Sequence, residues 1–180
     1  MRFDFEEQLR SDVPAAVQAL RADGVRVHLL SGDDDRHAQR MAAALGLDGA
    51  TGGLSPEAKL AVLREAQRRG EVVGMLGDGI NDAPVLAQAD VSFAMAEGAP
   101  IARLQADGVL LADRLGDLVL ARATARRALR IVRQNFAWAA LYNAACVPLA
   151  LAGLLPPWAA GLGMATSSLF VVANSLRLSR

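Results

Sequence analysis

Two carboxylates and an amide fall close together in residues 75–84, which read Met-Leu-Gly-Asp-Gly-Ile-Asn-Asp-Ala-Pro. Mg²⁺ prefers hard oxygen ligands and usually takes one or two protein carboxylates, leaving its other positions to water and phosphate. Asp78 and Asp82 meet that demand, and Asn81 can fix the loop or donate a hydrogen bond to a phosphate oxygen. The stretch therefore indicates a magnesium site. The alternative is a turn whose acidic residues only cap the following helix.

The residues around this stretch indicate how the carboxylates are positioned. Residues 72–76 form an apolar run that predicts a short buried strand, and a helix is expected after the turn. In the alternative of a capping turn, Gly77 and Gly79, which flank Asp78, supply positive φ. Ligands of open α/β sheets bind at the carboxyl ends of the strands, so this turn lies where a ligand site is expected.

A second predicted strand, residues 25–30, ends directly before Ser31, Gly32 and Asp33. A hydroxyl and backbone amides at the carboxyl end of a parallel strand are well placed to hold a phosphoryl group. Residues 33–45 then predict a helix that Gly46 ends. The alternative is a serine-glycine turn that only caps this helix.

Lys59 is a third candidate, because it is the only lysine of the chain and all other Lys/Arg positions are Arg. It falls in the first turn of a helix that Ser55 and Pro56 predict, as an N-cap and a first-turn proline. A compact ammonium group can neutralise a phosphorylated carboxylate. The alternative is an ordinary solvated helix residue.

The charge distribution divides the 180-residue chain into two parts. All 19 acidic residues lie at or before Asp117, and the sequence after it contains seven arginines and no acid. Mean hydropathy is +0.25, which fits one globular domain plus a more apolar segment. We expect an α/β domain over residues 1–113, opened by a short strand or lead-in over residues 1–10. An Arg-rich connecting helix over 114–135 and a two-helix transmembrane hairpin over 136–180 follow.

The hairpin is predicted from two uncharged runs, residues 136–155 and 158–176, which Pro156 and Pro157 separate. Each run has about the ~20 residues that a spanning helix needs. Arginines flank both outer ends and are missing from the turn, which predicts that both ends of the hairpin are cytoplasmic. The alternatives are a nucleic-acid-binding Arg face on the connecting helix and two buried helices of a soluble protein.

Four polar or soft side chains stand out within the two runs. Met164 and Ser168 are four residues apart and share a helix face, and Tyr142 and Asn143 lie in the middle of the first run. Thioether ligands favour Cu(I), whereas a Zn²⁺ pathway would more naturally carry an acidic residue, which neither run contains. The alternative is that these side chains only pack or hydrogen-bond between membrane helices.

Several segments together resemble the later motifs of the haloacid dehalogenase superfamily in the form found in P-type ATPases. They are Ser31-Gly32-Asp33, Ser-Pro-Glu-Ala-Lys at 55–59 and Gly-Asp-Gly-Ile-Asn-Asp-Ala-Pro at 77–84. Residues 87–95 are similar to the sequence after that loop in the heavy-metal-transporting branch, and Tyr142-Asn143 with Met164 and Ser167-Ser168 resembles its copper class. The resemblance implies a partial Rossmann-like domain with a parallel sheet.

The resemblance also implies a role for each candidate residue. Asp78 and Asp82 would hold Mg²⁺, Asn81 would lie in the same loop, and Lys59 and Ser31 would stabilise the phosphoryl group. Gly32, Asp33, Gly77 and Gly79 would line that site. The transmembrane Cu(I) site would contain Tyr142, Asn143, Met164 and Ser168.

As a whole, the resemblance implies the carboxyl-terminal segment of an ATP-driven Cu(I)-exporting pump in a bacterial inner membrane, with a copper chaperone as a partner. The Asp-Lys-Thr-Gly-Thr string that carries the family's nucleophile does not occur, so the chain alone is expected to lack ATPase activity. Residues 97–100 stand where a Gly-Thr-Gly-like turn is usual and carry no catalytic group. The alternative is a non-catalytic, membrane-anchored regulatory or interaction protein.

Overall fold

A computed structural model describes residues 10–179 of the chain. The chain divides between Val119 and Leu120 into two compact units. The strand or lead-in predicted for residues 1–10 lies outside the described residues, apart from Arg10.

Helices and short strands alternate in the first unit, as expected for an α/β domain. In chain order the elements are α1 (Val13–Ala22), β1 (His28–Leu30), α2 (Asp35–Leu45), β2 (Gly49–Thr51), α3 (Pro56–Arg68), β3 (Gly74–Gly77), α4 (Ala83–Gln88), β4 (Val91–Met95), α5 (Pro100–Gln105) and β5 (Gly108–Leu110). A short 3-10 helix, Ile80–Asp82, lies between β3 and α4.

All strand pairs are parallel, as predicted, but they form two separate sheets where one sheet was expected. β1 pairs with β2, and β4 pairs with β3 on one side and with β5 on the other. Within residues 10–179, β1, β2, β3 and β5 therefore each keep one edge without a strand partner. The sequence did not predict β2, which has only three residues.

Three aspartates join neighbouring strands at their amino ends, because each directly precedes a strand and accepts a backbone N–H from the chain beside it. The donors and acceptors are Val27 N and Asp48 Oδ2 (2.9 Å), Val73 N and Asp90 Oδ2 (2.8 Å), and Ser92 N and Asp107 Oδ2 (2.8 Å). Asp48 N and Asp90 N return the bond to the Val27 and Val73 carbonyls, at 2.9 and 3.0 Å. Val27 with Asp48, and Val73 with Asp90, are thus each joined by two hydrogen bonds at the point where strand pairing begins.

These aspartates explain why two strands begin later than predicted. The predicted strands were residues 25–30 and 72–76, whereas β1 begins at His28 and β3 begins at Gly74. The residues just before them pair with an aspartate instead of with a strand. Val72 is 85% exposed, so the prediction that this whole run is buried was wrong.

Side chains near the helix starts satisfy the first N–H groups of α2 and α3. Ser55 caps α3 as predicted, with its hydroxyl accepting the N–H three residues later at 3.2 Å. The carboxylate of Asp34 caps α2 in the same way, through the N–H two residues later at 2.9 Å. The helix therefore begins at Asp35 and not at residue 33.

The core beside β4 combines a leucine of α4 with alanines of β4 and α5. Leu86, Ala94 and Ala102 are 1%, 0% and 0% exposed, and Met75 and Ala99 pack against them. The two alanines let α5 lie close to β4, and Leu86 fills the space between α4 and the strand, as the dense packing of protein interiors requires.

The second unit contains most of α6 (Leu115–Leu151) and all of α7 (Pro157–Ser175). α6 is continuous through residue 135, where the connecting helix was predicted to give way to the first span. Among the described residues one helical segment, Pro157–Leu178, has the length and composition needed to cross a membrane, with a mean hydropathy of 1.4 in its most apolar window. The first span, over residues 136–155, remains a prediction.

We predict that Asp48 and Asp90 make the first unit sensitive to acid. The backbone N–H of Val27 and the nearby Arg21 lower the pKa of Asp48, and the N–H of Val73 and then Gln67 lower the pKa of Asp90. A group whose folded-state pKa is depressed adds stability above its unfolded pKa and loses that contribution as the pH falls through the folded value. Both carboxylates therefore stabilise the fold at neutral pH and stop doing so in acid.

Asp48→Asn and Asp90→Asn keep an acceptor oxygen but remove the charge. We expect each variant to lose less unfolding free energy than the wild type between about pH 6 and about pH 3, because the titrating group is gone. Urea unfolding followed by far-UV circular dichroism at several pH values measures this. Equal acid sensitivity in both variants and the wild type would contradict the assignment.

Candidate functional site

The turn after β3 presents two carboxylates in different environments. Asp78 directly follows the strand and is exposed, whereas Asp82 ends the short 3-10 helix and is 9% exposed. Asn81, between them, is exposed. The structure therefore places one carboxylate toward solvent and one inside the turn, at the carboxyl end of a parallel strand as predicted.

The buried carboxylate is paired with the lysine of the chain. Lys59 Nζ lies 2.8 Å from Asp82 Oδ1, and the two side chains are 13% and 12% exposed. Ser55 starts α3 so that Lys59 falls in its first turn, which brings the ammonium group to the end of β3. The alternative of a solvated lysine is therefore wrong.

Gly77 allows Asp82 to lie against the end of β3. A Cβ atom at Gly77 would stand 2.9 Å from the Asp82 Cβ and 3.2 Å from its Oδ2. Heavy atoms in proteins essentially never approach a Cβ that closely, so any side chain here would displace the carboxylate. Positive φ was expected at Gly77 and Gly79, but neither is among the positive-φ glycines of the structure, so that expectation was wrong and Gly77 serves close packing. At Gly79, on the other side of Asp78, a Cβ atom would lie 3.5 Å from Asp82 Oδ2, which is ordinary van der Waals contact.

The backbone of Asp78 is held by a segment to which the sequence analysis assigned no functional part. Ala99 N donates a hydrogen bond to the Asp78 carbonyl at 2.8 Å. A Cβ atom at Gly98 would lie 2.8 Å from that carbonyl oxygen and 3.1 Å from the Asp78 Cα. Gly98 and Ala99 therefore hold the backbone of Asp78 in place and so fix the position of its exposed side chain. The only signal in the sequence was a glycine in the turn after β4.

Ser31 lies in a separate turn after β1. Its hydroxyl donates to Asp33 Oδ2 at 3.0 Å and accepts from Asp33 N at 3.1 Å, while its backbone N–H donates to the Thr51 carbonyl at 2.9 Å. Gly32 is exposed, and a Cβ there would meet only the Leu54 carbonyl, at 3.6 Å. Among the described residues, no hydrogen bond joins this turn to Asp82 or Lys59. The local serine turn considered as the alternative is present.

Within residues 10–179, no three His, Cys, Asp or Glu side chains come close enough together to hold a metal ion. The end of β3 offers two carboxylates, of which Asp82 already binds Lys59 through Oδ1. A set this small suits Mg²⁺, which keeps several waters or phosphate oxygens, and does not suit an ion that needs a complete protein cage.

The candidate residues of α6 and α7 lie on different faces. Tyr142 is partly buried against α7, where a Cβ at Gly163 would lie 2.7 Å from its hydroxyl oxygen. Asn143, Met164 and Ser168 are exposed, and Met164 is 65% exposed. The two helices alone therefore do not bring the four predicted copper ligands together.

Comparison with known proteins agrees with this architecture. The haloacid dehalogenase-like hydrolase family matches residues 2–90. The chain is 44% identical over 172 residues to the cation-transporting P-type ATPase B of Mycobacterium bovis, covering 96% of this chain and 23% of that protein. It is 46% identical over 165 residues to the copper-exporting P-type ATPase of Mycobacterium tuberculosis, covering 92% of this chain and 22% of that protein.

A solved structure gives the same result for the fold. The crystal structure of a zinc-transporting PIB-type ATPase in the E2.Pi state matches with a TM-score of 0.91 and 34% identity, covering 97% of this chain and 29% of that one. The chain thus spans less than a third of the length of these relatives. It is a homologue of the carboxyl-terminal part of the heavy-metal P-type ATPases, and its first unit contains a haloacid dehalogenase-like hydrolase domain.

Proposed function

We propose that the chain contributes the carboxyl-terminal part of an ATP-driven pump that exports Cu(I) across a bacterial inner membrane. The observation that carries the proposal is the Lys59–Asp82 ion pair at the end of β3, in a chain similar over nearly its whole length to cation-transporting ATPases. A buried ammonium group and carboxylates that would hold Mg²⁺ at this edge are parts that could hold a phosphoryl group and offset its charge.

In this proposal Asp78 and Asp82 hold Mg²⁺, with Asn81 in the same loop. Bound there, Mg²⁺ would neutralise negative charge on the phosphoryl oxygens during transfer from ATP. Lys59 adds a fixed positive charge, and Asp82 keeps the ammonium group in place. Ser31, Gly32 and Asp33 contribute to phosphoryl binding once the Ser31 hydroxyl leaves its bond to the Asp33 carboxylate.

Cu(I) is the proposed cargo because the candidate ligands are soft or neutral. Met164 supplies a thioether, and Tyr142, Asn143 and Ser168 supply oxygen or nitrogen atoms without carboxylates. Similarity to a copper-exporting ATPase at 46% identity supports the same choice. Zinc is the second candidate, since a zinc-transporting ATPase matches in fold. The absence of any acidic residue after Asp117 in the sequence favours copper.

The remaining parts of the proposal concern the surroundings of the chain. Arginines on the outer flanks of the hairpin support a lipid bilayer as partner and cytoplasmic ends for both helices. A copper chaperone would deliver the ion. The chain alone is expected to be inactive, because the nucleophile motif does not occur in its sequence. The alternative of a non-catalytic regulatory protein has no support from the relatives.

The proposal is tested on the native gene product. An antibody against residues 114–133 should detect a membrane protein several times larger than 18.9 kDa, and the DNA upstream should encode Asp-Lys-Thr-Gly-Thr in frame. A stable product of the size of this chain, without such a coding region, would overturn the pump assignment. ATPase activity of the purified 180-residue chain would contradict the expected inactivity.

We predict that Lys59→Met lowers the unfolding free energy by about 2 kcal/mol, because the largely buried Asp82 carboxylate loses its partner. Adding Asp82→Asn to this variant should recover part of the loss, since no unpaired charge then remains. Urea unfolding of the full chain in detergent measures both.

The control for this prediction is Arg68→Met on the same helix. Arg68 pairs with Glu65 at 2.9 Å, but the two side chains are 73% and 49% exposed. Exposed pairs contribute less than about 1 kcal/mol, so this variant should be nearly neutral. Equal losses in the Lys59 and Arg68 variants would show that burial of the first pair has no energetic consequence.

We also predict that the support behind Asp78 is needed for cation binding. Gly98→Ala should weaken binding of Mn²⁺, used as a spin probe that Mg²⁺ displaces, by about tenfold, because outer supports of ligands typically contribute that much. Asp78→Asn should weaken it at least as much. Electron paramagnetic resonance of free Mn²⁺ gives the affinities.

Gly74→Ala is the matched control, because a Cβ there meets only the Val91 carbonyl oxygen, at 3.8 Å. It should bind Mn²⁺ as the wild type does. Unchanged affinity in the Gly98 variant, with a normal circular dichroism spectrum, would remove this segment from the site.

A further inference from the structure

We propose that Gly163 is a positioning residue for the metal site of the helix pair, because it lets Tyr142 fix how α6 and α7 meet beside Asn143 and Met164. The inference rests on the proposed metal site. It adds a residue that has no ligand atom in its side chain and that the sequence analysis did not single out.

The contact itself is closer than a side chain would allow. A Cβ atom at Gly163 would lie 2.7 Å from the Tyr142 hydroxyl oxygen, 3.5 Å from Cε2 and 3.6 Å from Cζ. The ring of Tyr142 therefore rests directly on the backbone of α7. Because the nearest atom is the far end of a side chain, a methyl group at this position would displace the tyrosine ring without forcing the backbone apart.

Two further contacts show that this one belongs to a regular antiparallel packing. Asn174 Nδ2 donates to Asn135 Oδ1 at 2.8 Å, and Trp138 Nε1 donates to Ser167 Oγ at 3.0 Å. In these pairs the residue number increases along α6 while it decreases along α7, as in antiparallel helices. The contact between Tyr142 and Gly163 follows the same order. The inward face of α7 thus carries Gly163, Ser167 and Asn174.

This packing determines where two of the proposed ligands lie. Asn143 follows Tyr142 on α6, and Met164 follows Gly163 on α7, so each ligand is the immediate neighbour of one member of the contact. Both ligands are exposed and are not part of the contact. The contact between the Tyr142 ring and Gly163 therefore places Asn143 and Met164 at the same height along the helix pair.

Gly161 supplies a matched control on the same helix. A Cβ atom there would have no atom within 4 Å, so Gly161→Ala adds the same methyl group to the same helix in open space. Any effect of helix propensity or of added apolar surface should be shared by both variants, whereas displacement of Tyr142 should be confined to Gly163→Ala.

The experiment uses the full chain in detergent micelles with 3-fluorotyrosine, which labels Tyr142 alone because the chain has one tyrosine. Fluorine NMR should show a shifted resonance in Gly163→Ala and an unchanged one in Gly161→Ala. Titration with Ag(I), a soft closed-shell substitute for Cu(I), is done in a Cys146→Ser parent so that the free thiol does not take the ion. It should show affinity about tenfold weaker in Gly163→Ala only, as for other residues that orient ligands.

The outcomes separate the two proposals. An unshifted fluorine resonance in Gly163→Ala would show that the Tyr142 ring does not contact Gly163. A shifted resonance with the parent's Ag(I) affinity would overturn its role in positioning the metal site. No saturable Ag(I) binding by the parent chain would overturn the positioning role, because the helix pair would then set no ligand positions of its own; the pump assignment is tested separately on the native gene product.

Discussion

Burying a carboxylate is costly unless a cation or several hydrogen bonds compensate it, and the Lys59–Asp82 pair is how this chain meets that constraint. The pair requires α3 to begin where Ser55 caps it and requires Gly77 to carry no side chain. The pair thereby ties α3 to the turn after β3, across a sequence separation of 23 residues. Asp78 is left exposed beside it, free of any ion pair within the described residues.

The two small sheets depend on a second kind of carboxylate contact. Strands of three to five residues provide few ladder hydrogen bonds, so the aspartates before β2, β4 and β5 extend each pairing beyond the strand. This arrangement also leaves β1, β2, β3 and β5 with an open edge each, in residues 10–179. Unpaired strand edges are prone to association, so both sheets leave edges with which a further strand could pair.

Local chemistry was enough to predict the helix start at Ser55, the parallel strands and the placement of Asp78 and Asp82 at a strand end. Features that depend on distant residues were not predictable. β2 is too short to show a pattern, and the support of Asp78 by Gly98 exists only once β4 and its turn are in place. The strand starts were predicted too early because apolarity does not reveal that Val27 and Val73 pair with aspartates.

In the helix pair, the residues of α7 that pack against α6 differ from those proposed to bind metal, a distinction that the sequence pattern did not make. Both faces of α7 carry small or polar residues, so spacing alone could not tell which face meets α6. The structure assigns Ser167 and Asn174 to hydrogen bonds with α6 and leaves Met164 and Ser168 exposed. Since hydrogen bonds and close backbone approach hold membrane helices together, the inward face can supply packing while the outward face stays available for ligands. A metal site on that outward face would depend on the packing only through the level at which the two helices meet.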